Sequence, residues 1–129
     1  MKSQTPKKRL KRLLYEINRL PDFVGSKLKT GHDSNLLGNT PLHAAAIWGD
    51  LDAIALLIEN GGDPNAVGEY GFTPLHQALA QGNIDAALFL IEKGASLKLE
   101  NGFGKTAFQM AEDRGAECLK RVLMAGSGK

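Results

Sequence analysis

A mainly α-helical solenoid of stacked helix–turn–helix units is the fold class that this sequence predicts, and three observations point to it. Gly38, Thr40, Ala45, Gly49 and Leu57 recur 33 residues later as Gly71, Thr73, Ala78, Gly82 and Leu90, then again as Gly104, Thr106, Ala111, Gly115 and Leu123. A fixed period of this length marks small units that bury their apolar faces only against their neighbours. Each copy opens with a threonine suited to capping a helix, followed in two copies by proline at the first helical position, where its missing N–H costs nothing. Each copy then carries a glycine that divides it into two short helices.

The elements follow in chain order. Leu10, Leu13, Leu14, Ile17 and Leu20 fall on one face of a helix, with basic residues largely on the other, and Pro21 ends it. Gly31-His32-Asp33-Ser34-Asn35 then echoes Gly61-Gly62-Asp63-Pro64-Asn65 at a spacing of 30. Residues 7–35 therefore read as a degenerate N-terminal capping repeat, or alternatively as a free amphipathic helix, after a disordered tail at 1–6. The first full copy, 36–68, places helices from Pro41 to Gly49 and from Leu51 to Asn60. The second, 69–101, places them up to Gln81 and from Ile84 to Lys93. The third, 102–124, has Glu112 where the earlier copies have Ala46 and Leu79. It has Lys120 and Arg121 where they have Ile54 and Ala55, or Ala87 and Leu88. A last unit faces water on one side, so these polar changes mark a C-terminal cap. Ala125 to Lys129 reads as a frayed tail.

The runs Gly38-Asn39-Thr40-Pro41-Leu42-His43 and Gly71-Phe72-Thr73-Pro74-Leu75-His76 resemble the ankyrin repeat, as do the closing Gly62-Asp63-Pro64-Asn65 and Gly94-Ala95. The resemblance covers about residues 31–124 and implies an ankyrin solenoid with finger loops. It implies that His43 and His76 brace neighbouring units. It also implies a protein-binding concave face built from the finger tips and the open side of each first helix. By position that face comprises Leu37, Asn39, Ile47, Trp48, Glu69, Tyr70, Phe72, Gln77, Gln81, Phe103, Lys105, Met110, Asp113 and Arg114. Leu36, Ala44, Gly68, Ala80, Asn101 and Gly102 stand beside them. Four of the chain's eight aromatic residues fall in this set, and exposed aromatics are the usual anchors of interfaces. The family's finger aspartate is replaced by Asn35, Gly68 and Asn101, which predicts altered turns there.

Charge and composition narrow the partners. Residues 1–20 carry seven Lys or Arg against Glu16 alone, whereas from Asp33 onward seven basic residues face twelve acidic ones. Lys7-Lys8-Arg9-Leu10-Lys11-Arg12 reads first as the solvated face of the capping helix, then as a patch for an acidic partner or a nuclear-import-like cluster. It lacks interleaved aromatics, so nucleic acid is disfavoured. Cys118 is the only cysteine, which excludes an intramolecular disulfide and a Cys-based zinc site and fits a cytoplasmic setting. Membrane-length apolar runs and a secretory leader are not visible.

Several chemical motifs fail on closer reading. Gly104-Lys105-Thr106 ends like a phosphate-binding loop, but Leu99 stands where the pattern needs glycine. Asp52 and Asp85 recur at helix starts, where a carboxylate suits the helix dipole, and Cys118 shares that register in the third copy. No acid, base, nucleophile, metal set or cofactor site converges. The expected function is therefore non-catalytic protein binding by a chain monomeric when free. With no appended domain it would act by occupancy, as an inhibitor or adaptor and in a narrower form as a toxin-neutralising protein. The alternative assigns binding of nucleic-acid-associated complexes or acidic membranes to the basic N-terminal helix.

Overall fold

The computed structural model describes residues 5–23, 27–30 and 33–126. His32, expected in a loop, and Gly31, part of the 30-residue echo, lie outside them. So do residues 1–4 and 127–129 of the two expected tails. Seven α-helices span the described residues: α1 Pro6–Asn18, α2 Pro41–Trp48, α3 Leu51–Glu59, α4 Pro74–Gln81, α5 Ile84–Glu92, α6 Ala107–Arg114 and α7 Ala116–Gly126. Short 3₁₀ turns occupy Pro21–Phe23 and Glu69–Gly71. Three hairpins, α2–α3, α4–α5 and α6–α7, stack so that α2, α4 and α6 form an inner layer and α3, α5 and α7 an outer one. One apolar interior runs the length of the stack, through Ile17, Leu42, Ile54, Leu57, Leu75, Leu79, Leu90 and Val122. This is the repeat solenoid that the period predicts.

Among its described residues the N-terminal unit holds one α-helix rather than a pair. Thr5 caps α1 by accepting a hydrogen bond from the Lys8 N–H at 3.2 Å, so the helix already begins at Pro6, inside the expected tail. Leu14 and Ile17 are buried, and Leu10, Leu13 and Leu20 pack partly against the core; α1 is docked on α2 and α3 and is not a free arm. Asn18 then holds the returning chain, its amide donating to the Leu28 carbonyl and accepting from the Leu28 N–H, each at 3.2 Å. Within the described part of the echo, residues 33–35 are not structurally equivalent to 63–65. Asn35 begins a finger, whereas Asn65 joins two successive loops by bonding the Gly94 carbonyl and the Ser96 N–H.

The third hairpin departs from the strict period. Gly49 and Gly82 end α2 and α4 in the left-handed region, φ 72° and 78°, and a capping residue follows before the next helix starts. Gly115 instead adopts φ 121°, ψ 167°, and α7 begins at the very next residue. The Leu119 N–H bonds the Gly115 carbonyl at 3.1 Å, just as Ile54 bonds Asp50 and Ala87 bonds Asn83 at 3.0 Å. Gly115 thus stands in the place of Asp50 and Asn83, and the outer helix is shifted by one residue. Val122 is fully buried while Leu123 is 44% exposed, so Leu123 does not repeat Leu57 and Leu90. By the same shift Glu117, not Cys118, follows Asp52 and Asp85, and half-buried Cys118 leans on the core. Lys120 and Arg121 are exposed. The helix also continues through Ala125 and Gly126, where Ala125 packs against the core, so the expected tail starts later than Ala125.

Candidate functional site

The fingers before α2, α4 and α6 are built by two kinds of turn. In the first, the Asn35 side-chain oxygen accepts from the Leu37 and Asn39 N–H groups, both at 2.9 Å. In the third, Asn101 does the same for Phe103 and Lys105, at 2.8 and 3.1 Å. Asparagine supplies the acceptor that these turns need. The middle finger has Gly68 instead and forms a different turn, in which Tyr70 takes φ 58°, ψ 20°. Tyr70 is the one non-glycine residue with positive φ among the described residues. Its finger borrows an acceptor from the preceding one: the Glu69 N–H donates to the Asn39 side-chain oxygen at 2.9 Å.

Neighbouring fingers touch backbone to backbone. The Gly102 N–H donates to the Tyr70 carbonyl at 2.7 Å. A Cβ on Gly71 would lie 2.5 Å from the Gly102 nitrogen, and one on Gly102 would lie 2.6 Å from the Tyr70 oxygen. Only glycine fits at either position.

The two histidines anchor these fingers to the helices. The Thr40 N–H donates to His43 Nδ1 at 3.0 Å, which leaves the proton on Nε2 to bond the Phe72 carbonyl at 2.9 Å. His76 repeats the arrangement with the Thr73 N–H at 3.0 Å and the Leu99 carbonyl at 3.0 Å. Each ring closes its own helix cap and holds the next finger. Burial pushes both pKa values below the ordinary 6.5, against the upward pull of the Phe72 and Leu99 carbonyls. With both nitrogens of each ring engaged, neither is free to ligate a metal or take a substrate proton.

Two concavities among the described residues lie along the inner layer and fingers. Phe72, Phe103, Met110 and Ala80 line a groove of about 420 Å³, and Lys105, Asp113 and Arg114 line it with them. Lys105 and Asp113 form an ion pair across it. Arg114 donates through its guanidinium to the Leu79 and Ala80 carbonyls, the latter at 3.1 Å, satisfying the open end of α4. Asn83 performs the same service for Ala46 and Ile47 at the end of α2, at 3.0 and 2.8 Å. Tyr70 stands beside the groove lining, its ring 6.0 Å from that of Phe103, and Phe103 meets Phe72 edge-on at 6.3 Å. Tyr70 is 67% and Phe103 72% exposed. The second concavity, about 200 Å³, lies between α2 and the Pro21–Phe23 turn, with Ile47 and Trp48 in its wall.

Six residues expected on the binding face therefore share one groove: Phe72, Phe103, Lys105, Met110, Asp113 and Arg114. Ile47 and Trp48 belong to the smaller cleft. Leu37 and Gln81 are exposed, and Glu69 and Gln77 half-buried, and all four lie outside both. Asn39 and Ala44 also line the smaller cleft and Asn101 the groove, but all three are largely buried, and the two asparagines are engaged in holding fingers. Conversely, Leu20, Pro21 and Asp22 reach the inner face, which the apolar spacing of the preceding helix did not announce. The lysine and threonine of Gly104-Lys105-Thr106 serve the ion pair and the α6 cap.

Comparison with known families adds an independent finding. A sequence model of ankyrin repeats in three copies matches residues 10–101, from within α1 into the third finger. The pair α6–α7 lies beyond the match. No curated protein matches the chain. Among the described residues, no helix is long and apolar enough to cross a membrane.

Proposed function

The chain belongs to the ankyrin repeat family, whose repeats generally serve as protein–protein interaction modules, and on that premise we propose a non-catalytic binder whose concave groove grips one segment of a partner protein. The observation that carries this reading is the groove floored by half-buried Phe72 and Met110 and walled by exposed Phe103, whose ring lies beside that of Tyr70. An apolar side chain of the partner would displace water from that floor, and Lys105 and Asp113 could exchange their mutual pairing for charged groups on the partner. Fingers tied to each other and to His43 and His76 need little further ordering, so less of the contact energy is spent on freezing loops. Ile47 and Trp48 extend the same side of the molecule.

Such binding would act by covering the partner, as an inhibitor or an adaptor, from a cytoplasmic monomer. Toxin neutralisation is one form that inhibition would take. Of the acidic residues that suggest a basic toxin, Asp52, Asp85 and Glu117 stand exposed on α3, α5 and α7, away from the groove, and Asp113 lines it. The test is affinity capture from native lysate with the unaltered chain, Phe103→Ala/Met110→Ala, Trp48→Ala/Tyr70→Ala, and a back-face Asp52→Ala control. Partners retained by the native chain and the control should be lost from the groove variant and weakened in the second double variant. Identical capture by all four would refute concave-face binding.

A further inference from the structure

The flank of α1 turned away from α3 holds a third concavity that groove binding does not use. Leu10 and Leu14 of α1 form its floor with Leu28, and Tyr15 stands at its edge; the recess, open to solvent on one side, has a volume of about 470 Å³. That is within the range of sites that accept a bulky side chain or small molecule, roughly 300–1,000 Å³. Leu28 is held opposite α1 by the paired Asn18 bonds already described, so the far wall is fixed to the helix that forms the near one.

The rim is cationic. Lys7 and Lys11, one helical turn apart, and Lys29 across the opening line the pocket, and the described residues of its lining include no carboxylate. Among the described residues none of the three lysine ammonium groups forms an ion pair. Arg19 adds a guanidinium 5.7 Å above the Tyr15 ring. The acidic groups nearby have other positions. Glu16 lies on the opposite flank, with Arg9 and Arg12 near Asp50 and Asp52 of α3. Asp33 is tied to the Lys29 and Thr30 N–H groups at 2.8 and 3.0 Å. The basic run is thereby divided in two: its arginines face the acidic start of α3, and its lysines at 7 and 11 ring an apolar recess.

We propose that this pocket seats one apolar side chain of an acidic peptide segment, whose flanking carboxylates pair with Lys7, Lys11 and Lys29. Charge complementarity selects the acidic partner, and the shape of the floor selects a peptide among acidic partners. A phosphate backbone satisfies the lysines but leaves the leucine floor empty. A membrane surface is flat, and Leu14, 5% exposed, is too deep to enter it. The site is independent of the concave groove, so the chain could hold two protein segments at once.

The test is fluorescence anisotropy of the full chain with a labelled glutamate-rich peptide carrying one central leucine. Binding is expected to weaken about tenfold or more, the equivalent of about 1.4 kcal/mol, in each of two comparisons. One replaces the central leucine with alanine; the other uses the Lys7→Ala/Lys11→Ala/Lys29→Ala chain, checked for native helicity by circular dichroism. The corresponding triple arginine chain should retain binding, as should Phe103→Ala. Equal affinity for the leucine and alanine peptides would overturn the proposal by reducing the pocket to a charged patch. Tighter binding to phosphatidylserine vesicles or to duplex DNA than to the leucine peptide would overturn it as well.

Discussion

The middle hairpin and the last one begin alike and end differently. Both α4 and α6 start from a threonine whose side chain accepts from the third helical N–H, His76 in one and Gln109 in the other, at 3.3 and 3.1 Å. Both return the bond, His76 through Nδ1 and Gln109 through its amide oxygen at 2.9 Å. The histidine does one thing more, because its second nitrogen reaches the Leu99 carbonyl of the next finger. Where no further finger is present among the described residues, glutamine serves. The comparison separates two roles that a Thr-Pro-Leu-His motif otherwise merges: closing a helix, which any suitable acceptor does, and joining units, which needs a second nitrogen on the opposite side of a ring. The apolar residues divide in the same way. Leu75 is fully buried, whereas Phe108 at its position in the last hairpin is 36% exposed.

The sharpest way to break this comparison is to truncate those apolar residues. Leu75→Ala should cost about 2–5 kcal/mol in urea unfolding, as fully buried leucines do, and Phe108→Ala clearly less; equal losses would mean that the end hairpin is as deeply packed as the middle one. Next comes the register of α7. Val122→Ala should cost about 2 kcal/mol from lost burial and a residual cavity, and Leu123→Ala no more than about 0.5 kcal/mol. The reverse order would restore the strict 33-residue equivalence of Leu123 with Leu90.

His76→Gln tests the joining role directly. It keeps the helix cap but leaves the Leu99 carbonyl without its donor, for an expected loss of about 1–3 kcal/mol. Gln109→Ala removes only a cap contact, worth about 1 kcal/mol. The histidines also confer a pH dependence of fixed sign. Their folded pKa values lie below the unfolded 6.5, so the unfolded chain takes up protons that the folded chain refuses. The stability is complete above pH 6.5 and falls as the pH drops through it, by at most about 1.4 kcal/mol per pH unit for each histidine. Urea midpoints at pH 7.5 and 5 should show the fall, and it should flatten in His43→Gln/His76→Gln. Smallest of the effects is a gain. Tyr70→Asn relieves a bulky side chain in left-handed backbone and should raise stability by about 1 kcal/mol, while removing half of the exposed aromatic pair from the proposed groove.

Local features were the legible ones. The threonine caps and the glycine breaks after α2 and α4 depend on residues a few positions apart, and the structure forms them where those residues stand. The bracing by His43 and His76 reaches the next finger and was legible only through the family resemblance. The docking of α1 was half visible, in the spacing of Leu10, Leu14 and Ile17, but the pocket on its flank depends on Asn18 recruiting Leu28 from the returning chain. The burial of Asn39 was not visible because its partner is the Glu69 N–H of the next finger, exposed by a glycine at 68. The register of α7 was hidden for another reason. Gly115 keeps its place in the period while changing its backbone angles, so the repeated letter conceals a skipped residue. The binding face was read by position, and position alone does not reveal that Lys105 and Arg114 are already engaged within the molecule.

Gly71 and Gly102 have a bearing on how recognition could change over time. They weld the second and third loops into a single plate, closed to every larger residue at the weld yet open at the tips. Phe103 is thus free to be exchanged for other side chains with small cost to the scaffold, and Tyr70 for those that tolerate its left-handed backbone, whereas alanine at either weld would pry the plate apart. Novelty in partner choice would accumulate at the rim, above two sites that tolerate none.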